Sequence, residues 1–268
     1  TQGVSSAASD VYKRQHLMLA GRLEVGKTLV FQNERVGRKQ IRALLALLVD
    51  LEDFAPGRAV ARIGQGDEAL FVKRYRRSMK PWWKRILRRS YQSPLRNEAM
   101  LLARLQTLGF AAPEPLLYTE SRHPRFHESL LLTRFLPGVP LATLTGEALQ
   151  RGAHQALSLL AQLHAHGIAH GDCNPYNFLV AEQAYLLDFE RSDDFSREAA
   201  VDDFKKIMLR LRDLGLSDDV LEALAERYAS AVDSPVLDAR AILAELQGLS
   251  VVRKPTRWRP PQQLQGSL

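Results

Sequence analysis

Between Gly167 and Glu190 the chain reads GIAHGDCNPYNFLVAEQAYLLDFE, a dense knot of polar turn formers flanked by short apolar runs. Asp172, Asn174, Pro175 and Asn177 favour a tight loop, because Asx side chains bond nearby backbone and proline presets its own φ. The runs Asn177–Val180 and Ala184–Leu187 that follow predict two short strands. Before the loop, an apolar stripe from about Glu147 to His166, stopped by Gly167, predicts a long helix. A polar loop set between a long helix and a small hairpin leaves few architectures open. It carries Asp172 and, five positions on, Asn177, and the second strand delivers a further acid, Asp188.

The rest of the chain predicts a β-rich front and a helical rear. Thr28–Phe31, Arg58–Ile63, Ala69–Tyr75, Leu116–Tyr118 and Ser129–Phe135 read as strands, with a hairpin turn at Gln65–Glu68. Helical stripes occupy Gly37–Leu51 and the stretch from Ser93–Pro94 to Gly109, where Ser caps and Pro opens the first turn. The expected class is α+β. Residues 1–15 are set apart: Ser5–Gln15 (SSAASDVYKRQ) looks like an in-frame translated sequencing adapter and is expected to be disordered.

At 268 residues and 46% apolar composition the chain can bury a sizeable core. Its net charge of +7 favours an anionic partner, a nucleotide or a membrane surface among them. Nucleic acid is not expected, since no recognised module accompanies the charge. A single cysteine, Cys173, excludes an internal disulfide and fits a reducing compartment. No apolar run approaches the roughly 20 residues of a membrane span, and no signal peptide is visible, so a cytoplasmic location is expected.

Oxygen ligands such as Asn177 and Asp188 suit Mg²⁺, and phosphoryl transfer asks a protein mainly for positioning and charge. The order His170-Gly171-Asp172, Asn177, then Asp188-Phe189-Glu190 resembles the protein-kinase catalytic loop H-R-D-x-x-x-x-N and the D-F-G motif. That resemblance implies a bilobal protein-kinase-like fold, a small β-rich N-lobe over residues 16–135 and a helical C-lobe over 136–268 with a basic tail. It implies ATP and Mg²⁺ as cofactors. Asp172 would orient the acceptor hydroxyl, Asn177 and Asp188 would hold the metal, and His170 would buttress the loop. Lys73, ending Leu70-Phe71-Val72-Lys73, would reach the α- and β-phosphates and pair with Glu98 on the next helix. Backbone groups of the hinge-like segment Leu131–Leu136, with Thr133, Arg134 and Phe135 at its centre, would bond the adenine.

The departures matter as well. No G-x-G-x-x-G precedes Lys73, which puts the phosphate-covering loop near Ala55–Arg58. Gly171 stands where protein kinases carry Arg, no A-P-E motif follows, and Glu190 replaces the DFG glycine. Control by activation-loop phosphorylation is therefore not expected, and the substrate is expected to be something other than a protein.

More specifically, the chain resembles the bacterial lipopolysaccharide core kinases of the Kdo/WaaP type, nearest the heptose kinases. The carriers are the early strand and helix (Thr28–Leu48), the Lys73 strand with its basic insertion, Arg96-Asn97-Glu98, His164-Ala165-His166-Gly167 and Gly171-Asp172, with Asn177-Phe178 and Asp188. The resemblance implies transfer of the ATP γ-phosphate to a heptose hydroxyl of the inner core, or to another glycolipid acceptor, at the inner face of the inner membrane. From Lys73 to Arg89 nine residues are basic, with Trp82 and Trp83 among them, and Arg253, Lys254, Arg257, Trp258 and Arg259 repeat the pattern. Such a surface predicts docking on an anionic membrane or on acidic core sugars. A Kdo kinase, an aminoglycoside- or choline-kinase-like enzyme, and a catalytically inactive binding protein on the same scaffold are the competing readings.

Overall fold

A computed structural model of the chain describes residues 22–25, 28–32, 57–66, 69–78, 93–122, 126–232, 242 and 262–264. The adapter-like start, the stripe Gly37–Leu51, the run Met79–Arg89 and the cations of the C-terminal tail lie outside these residues. The chain divides into two compact units, residues 1–135 with 260–268, and residues 136–259.

The first unit is built on a seven-stranded sheet in the order β1-β2-β5-β6-β4-β3-β12. Its members are β1 (Arg22–Val25), β2 (Thr28–Gln32), β3 (Gly57–Ile63), β4 (Leu70–Ser78), β5 (Pro115–Arg122), β6 (Phe126–Arg134) and β12 (Gln262–Leu264). All neighbours run antiparallel except β12, which pairs parallel with β3. The last residues therefore count with the first unit, which corrects the assignment of the whole of 136–268 to the helical part. The reason is local: β3 has a free outer edge, and a strand there pairs backbone groups left open on that side.

Helix α1 (Pro94–Thr107) covers β5 and β6. Ser93 Oγ accepts the N–H of Leu95 at 3.3 Å and meets Ser129 Oγ at 2.6 Å, so one hydroxyl caps the helix and ties it to β6. A cap of this kind contributes about 1 kcal/mol. The helix buries Leu95, Glu98, Ala99, Leu102, Ala103 and Leu105, and Gly109 closes it at φ +66°. Leu102 is 1% exposed, so truncation to alanine should cost roughly 2–5 kcal/mol.

The second unit is mainly helical. Helix α2 (Gly146–Ala165) buries a stripe through Leu149, Ala153, Ala156, Leu157, Leu160, Ala161 and His164. It packs on β10 (Ala184–Leu186), which pairs with β9 (Phe178–Val180), and β9 in turn with β7 (Val139–Pro140). A two-residue ladder joins β8 (Ile168–Ala169) to β11 (Asp193–Asp194). Helix α3 (Arg197–Asp213) opens on Ser196, whose Oγ accepts the N–H of Ala199 at 3.1 Å, and α4 (Asp218–Val232) packs on α2 and α3. Among the described residues no helix is long and apolar enough to cross a membrane.

Candidate active site

In the first unit, strand alternation decides which way β4 points its side chains. Leu70, Val72 and Arg74 face the buried side, and Lys73 stands on the opposite face, opposite Val60 of β3 and Leu131 of β6. Lys73 Nζ donates to Glu98 Oε1 at 2.7 Å. The Lys73 side chain is 18% exposed and that of Glu98 3%, so the carboxylate holds the ammonium at one edge of a largely dry contact. Glu98 sits just past the first turn of α1, which the Ser93 cap fixes on the sheet.

Thr133 is buried in β6, and the two residues after it are engaged within the unit. The N–H of Arg134 donates to Glu114 O at 3.0 Å and that of Phe135 to Ala69 O at 2.9 Å. Arg134 Nε also donates to Glu114 Oε2 at 3.1 Å, and the Arg62 guanidinium lies 3.9 Å over the Phe135 ring. These two backbone donors are therefore spent, which removes them from the hinge groups expected to bond the adenine. Of the expected covering loop, Ala55 and Pro56 lie outside the described residues, while Gly57 and Arg58 open β3.

Part of the basic run proves to be internal. Arg74 is only 5% exposed and donates through Nε and Nη2 to Glu128 Oε2, at 3.1 and 2.9 Å. Arg76 Nε donates to the same oxygen at 2.6 Å, and its guanidinium lies 4.4 Å over Phe126. With Lys73 on Glu98, three of the nine cations hold acids of their own sheet and helix. The alternation of β4 was the sequence signal for Arg74.

In the second unit, the segment Ile168–Ser192 is folded on itself. Asn177 Nδ2 donates to Asp172 O at 2.9 Å, and Asn177 N–H to Asn174 O at 2.7 Å. The hairpin register sets Phe178 against Leu186, and Leu187 N–H donates to Asn177 O at 2.8 Å. Asp188 thus follows directly on the residue bonded to Asn177. It holds φ 62°, ψ 67°, the one non-glycine residue with positive φ among those described. A non-glycine residue kept there costs about 1–3 kcal/mol, a strain that collects at functional positions.

His170 joins the two strands of this arrangement. It is wholly buried; Nε2 donates to Leu187 O at 2.8 Å, and Nδ1 accepts the N–H of Asp172 at 3.2 Å. Burial pushes its pKa down, so the ring stays neutral, the state in which one nitrogen donates and the other accepts. Ser192 Oγ donates to His170 O at 3.0 Å.

Asp203 on α3 was not singled out by sequence, yet it carries the loop. Its carboxylate accepts His170 N–H at 2.6 Å and Gly171 N–H at 2.9 Å. Burial alone would raise its pKa, but hydrogen bonds from the His164 ring and the Gly171 amide hold it below the usual range. The available signal was a lone carboxylate on the apolar face of α3, between Ala200 and Phe204, Ile207 and Met208. Lys206, one turn on, donates to Gly171 O at 3.2 Å.

Residues 24–228 match the lipopolysaccharide kinase (Kdo/WaaP) family. The chain belongs to that family. Membership in the lipopolysaccharide kinases supports a small-molecule phosphotransferase, and kinases of this kind use ATP and a divalent metal. Over 95 residues, 35% of the chain, it is 34% identical to proteins of Methanosarcina acetivorans and Methanosarcina mazei described as probable bifunctional tRNA threonylcarbamoyladenosine biosynthesis proteins; the match spans 15% of their length. Among solved structures it resembles an aminoglycoside-3'-phosphotransferase of type VIII, with TM-score 0.52 and 19% identity, over 78% of this chain and 97% of that one. The bifunctional kinase-methyltransferase WbdD aligns at TM-score 0.41 and 20% identity, over 67% of this chain and 46% of that one. The fold of this family member is accordingly α+β and protein-kinase-like.

Proposed function

We propose that this lipopolysaccharide kinase family member transfers the γ-phosphate of ATP to a sugar hydroxyl of the lipopolysaccharide inner core, heptose being the favoured acceptor. The observation that carries the reading is the Asp172–Asn177 loop, closed by its own hydrogen bond and clamped by Asp203, within the stretch that matches the family. Asp172 would accept a hydrogen bond from the acceptor hydroxyl and orient its oxygen for attack. Lys73, steadied by Glu98, would hold the α- and β-phosphates, and backbone groups of Leu131–Leu136 other than the N–H of Arg134 and Phe135 would bond the adenine.

The donor set fits a hard divalent cation. Asn177 commits Nδ2 to Asp172 O, so its ligand atom would be Oδ1, and Asp188 offers a carboxylate. A carboxylate oxygen of Glu190 lies within 4.8 Å of one from Asp188. Asn177 and Asp188 would hold Mg²⁺, which supplies neutralisation of phosphate charge when bound.

Docking on an anionic membrane face belongs to the same proposal. It rests on Lys80, Lys84, Arg85, Arg88 and Arg89 with Trp82 and Trp83, since Lys73, Arg74 and Arg76 have acidic partners. The test is labelled ATP, Mg²⁺ and dephosphorylated core lipopolysaccharide, with Asp172→Asn as control. Label in the sugar with the unaltered protein alone supports the reading. Activity surviving in Asp172→Asn removes the role given to Asp172, and label entering only a soluble amino sugar moves the enzyme to another acceptor class.

A further inference from the structure

The Asp203 clamp continues beyond the loop into two further helices. The His164 side chain, on α2, is fully buried: Nε2 faces Asp203 Oδ2 at 3.4 Å, and Nδ1 is hydrogen-bonded to the Tyr228 hydroxyl on α4. Phe204 stacks on the Tyr228 ring with centroids 4.5 Å apart, and Phe195 stands edge-on to His164 at 5.8 Å. Both polar rings are thus fixed in orientation by aromatic neighbours.

The proton positions follow from the partners. Asp203 is held ionised, so its oxygens can only accept. The hydrogen between Asp203 and His164 therefore belongs to Nε2. Nδ1 meets the Tyr228 hydroxyl, and in the arrangement proposed here the ring carries only the Nε2 hydrogen, so that Nδ1 accepts and the hydroxyl donates. Burial drives the pKa of that hydroxyl upward, so it keeps its hydrogen.

We propose that Tyr228 is a positioning residue for phosphotransfer: its O–H fixes His164 in the tautomer that presents Nε2–H to Asp203, whose carboxylate holds the amides of His170 and Gly171 and so aims Asp172. The inference rests on the role given to Asp172 above. Without the hydroxyl the ring can take the other tautomer, and a bare Nε2 would then face the carboxylate. That repulsion loosens Asp203 from the loop while leaving the aromatic stack in place.

Tyr228→Phe in the full chain is the first variant, assayed with labelled ATP, Mg²⁺ and dephosphorylated core lipopolysaccharide. The expected result is a kcat lower by about 10- to 100-fold, as small misplacements of reacting groups produce, with KM for ATP unchanged. In an Asp203→Asn background the same substitution should add no further loss. Nitrogen NMR of histidine-labelled protein should show His164 protonated at Nε2 alone, and a tautomer mixture in Tyr228→Phe. A lower Tm with kcat per folded molecule unchanged, additive losses in the double variant, or a wild-type His164 protonated at Nδ1 each overturn the proposal. Should the wild type leave core lipopolysaccharide unlabelled, the acceptor assignment falls by itself, and kcat for the same comparison is read from Mg²⁺-dependent ATP hydrolysis.

Discussion

The carbonyl oxygen of Arg191 stands 2.3 Å from the place a β-carbon on Gly171 would occupy. Gly171 also holds φ +79°, gives its N–H to Asp203 and receives Lys206 Nζ at its carbonyl. Every side of this residue is in use. Where protein kinases carry arginine, this chain has no room for any side chain, because the backbone after Asp188 closes directly on the loop.

Gly171→Ala should therefore destabilise the chain and disarrange the loop together. The left-handed backbone alone costs about 1–2 kcal/mol for alanine, before Arg191 is displaced. Thermal unfolding should show a lower Tm, and kcat should fall by at least about tenfold, the size of effect a 1.4 kcal/mol barrier change produces. Normal kcat in Gly171→Ala would mean the loop tolerates a shift that the 2.3 Å approach forbids.

Lys73→Met and Glu98→Gln probe the 2.7 Å ion pair. Both should lower kcat/KM, Lys73→Met by on the order of 10²–10³-fold, as losing one fixed electrostatic group does. Glu98→Gln should lose less, since the ammonium survives and only its orientation suffers. Steady-state kinetics with varied ATP would separate the two; equal losses would point to Glu98 acting on more than the lysine.

The pH dependence of stability should carry the mark of Asp203. Its folded pKa lies below the unfolded value of about 3.9, so its stabilising contribution is complete above that value and is lost as pH falls through the folded pKa. Denaturant titrations in acid should show this steep loss in the unaltered chain. Asp203→Asn should be less stable at neutral pH and flatter below about pH 4, where the normal group takes up its proton. Parallel acid profiles for the two proteins would contradict this.

Arg74 and the later cations of the same run should separate by experiment. Arg74→Gln removes a buried partner of Glu128 and should cost about 1–3 kcal/mol of stability, with binding to anionic vesicles unchanged. Replacing Lys84, Arg85, Arg88 and Arg89 with Gln should do the opposite, losing vesicle binding by about 1 kcal/mol per cation while Tm holds. Flotation with neutral and anionic vesicles, beside a melting curve, reads both.

Cys173 is 1% exposed, and burial, with the nearby Asp203 charge, pushes its thiol pKa well up. It should resist alkylation in the native chain and react fully in denaturant. Rapid native labelling would show that the Asp172–Asn177 loop opens.

The architecture was legible where a local pattern had a local cause. Ser93-Pro94 marked the start of α1, alternation marked β3 and β4, and Gly167 marked the end of α2. What escaped depends on distant partners. The two-residue ladder of Ile168–Ala169 with Asp193–Asp194 is too short to leave a period, and β12 pairs with a strand some two hundred residues earlier. Asp203 stands out only as a carboxylate on the apolar face of α3, and its task shows only in the amides of His170 and Gly171. The spent N–H groups of Arg134 and Phe135 were equally invisible, since Glu114 and Ala69 are fixed by the sheet rather than by neighbouring residues.

From Asp188 to the first residue of α3 the chain advances nine positions, and that short passage is stitched to the loop by Ser192 and the β8–β11 ladder. Arg191, Ser196 and Arg197 are exposed along it, yet so brief a tether, fastened at both ends, has little slack with which to swing away from the loop.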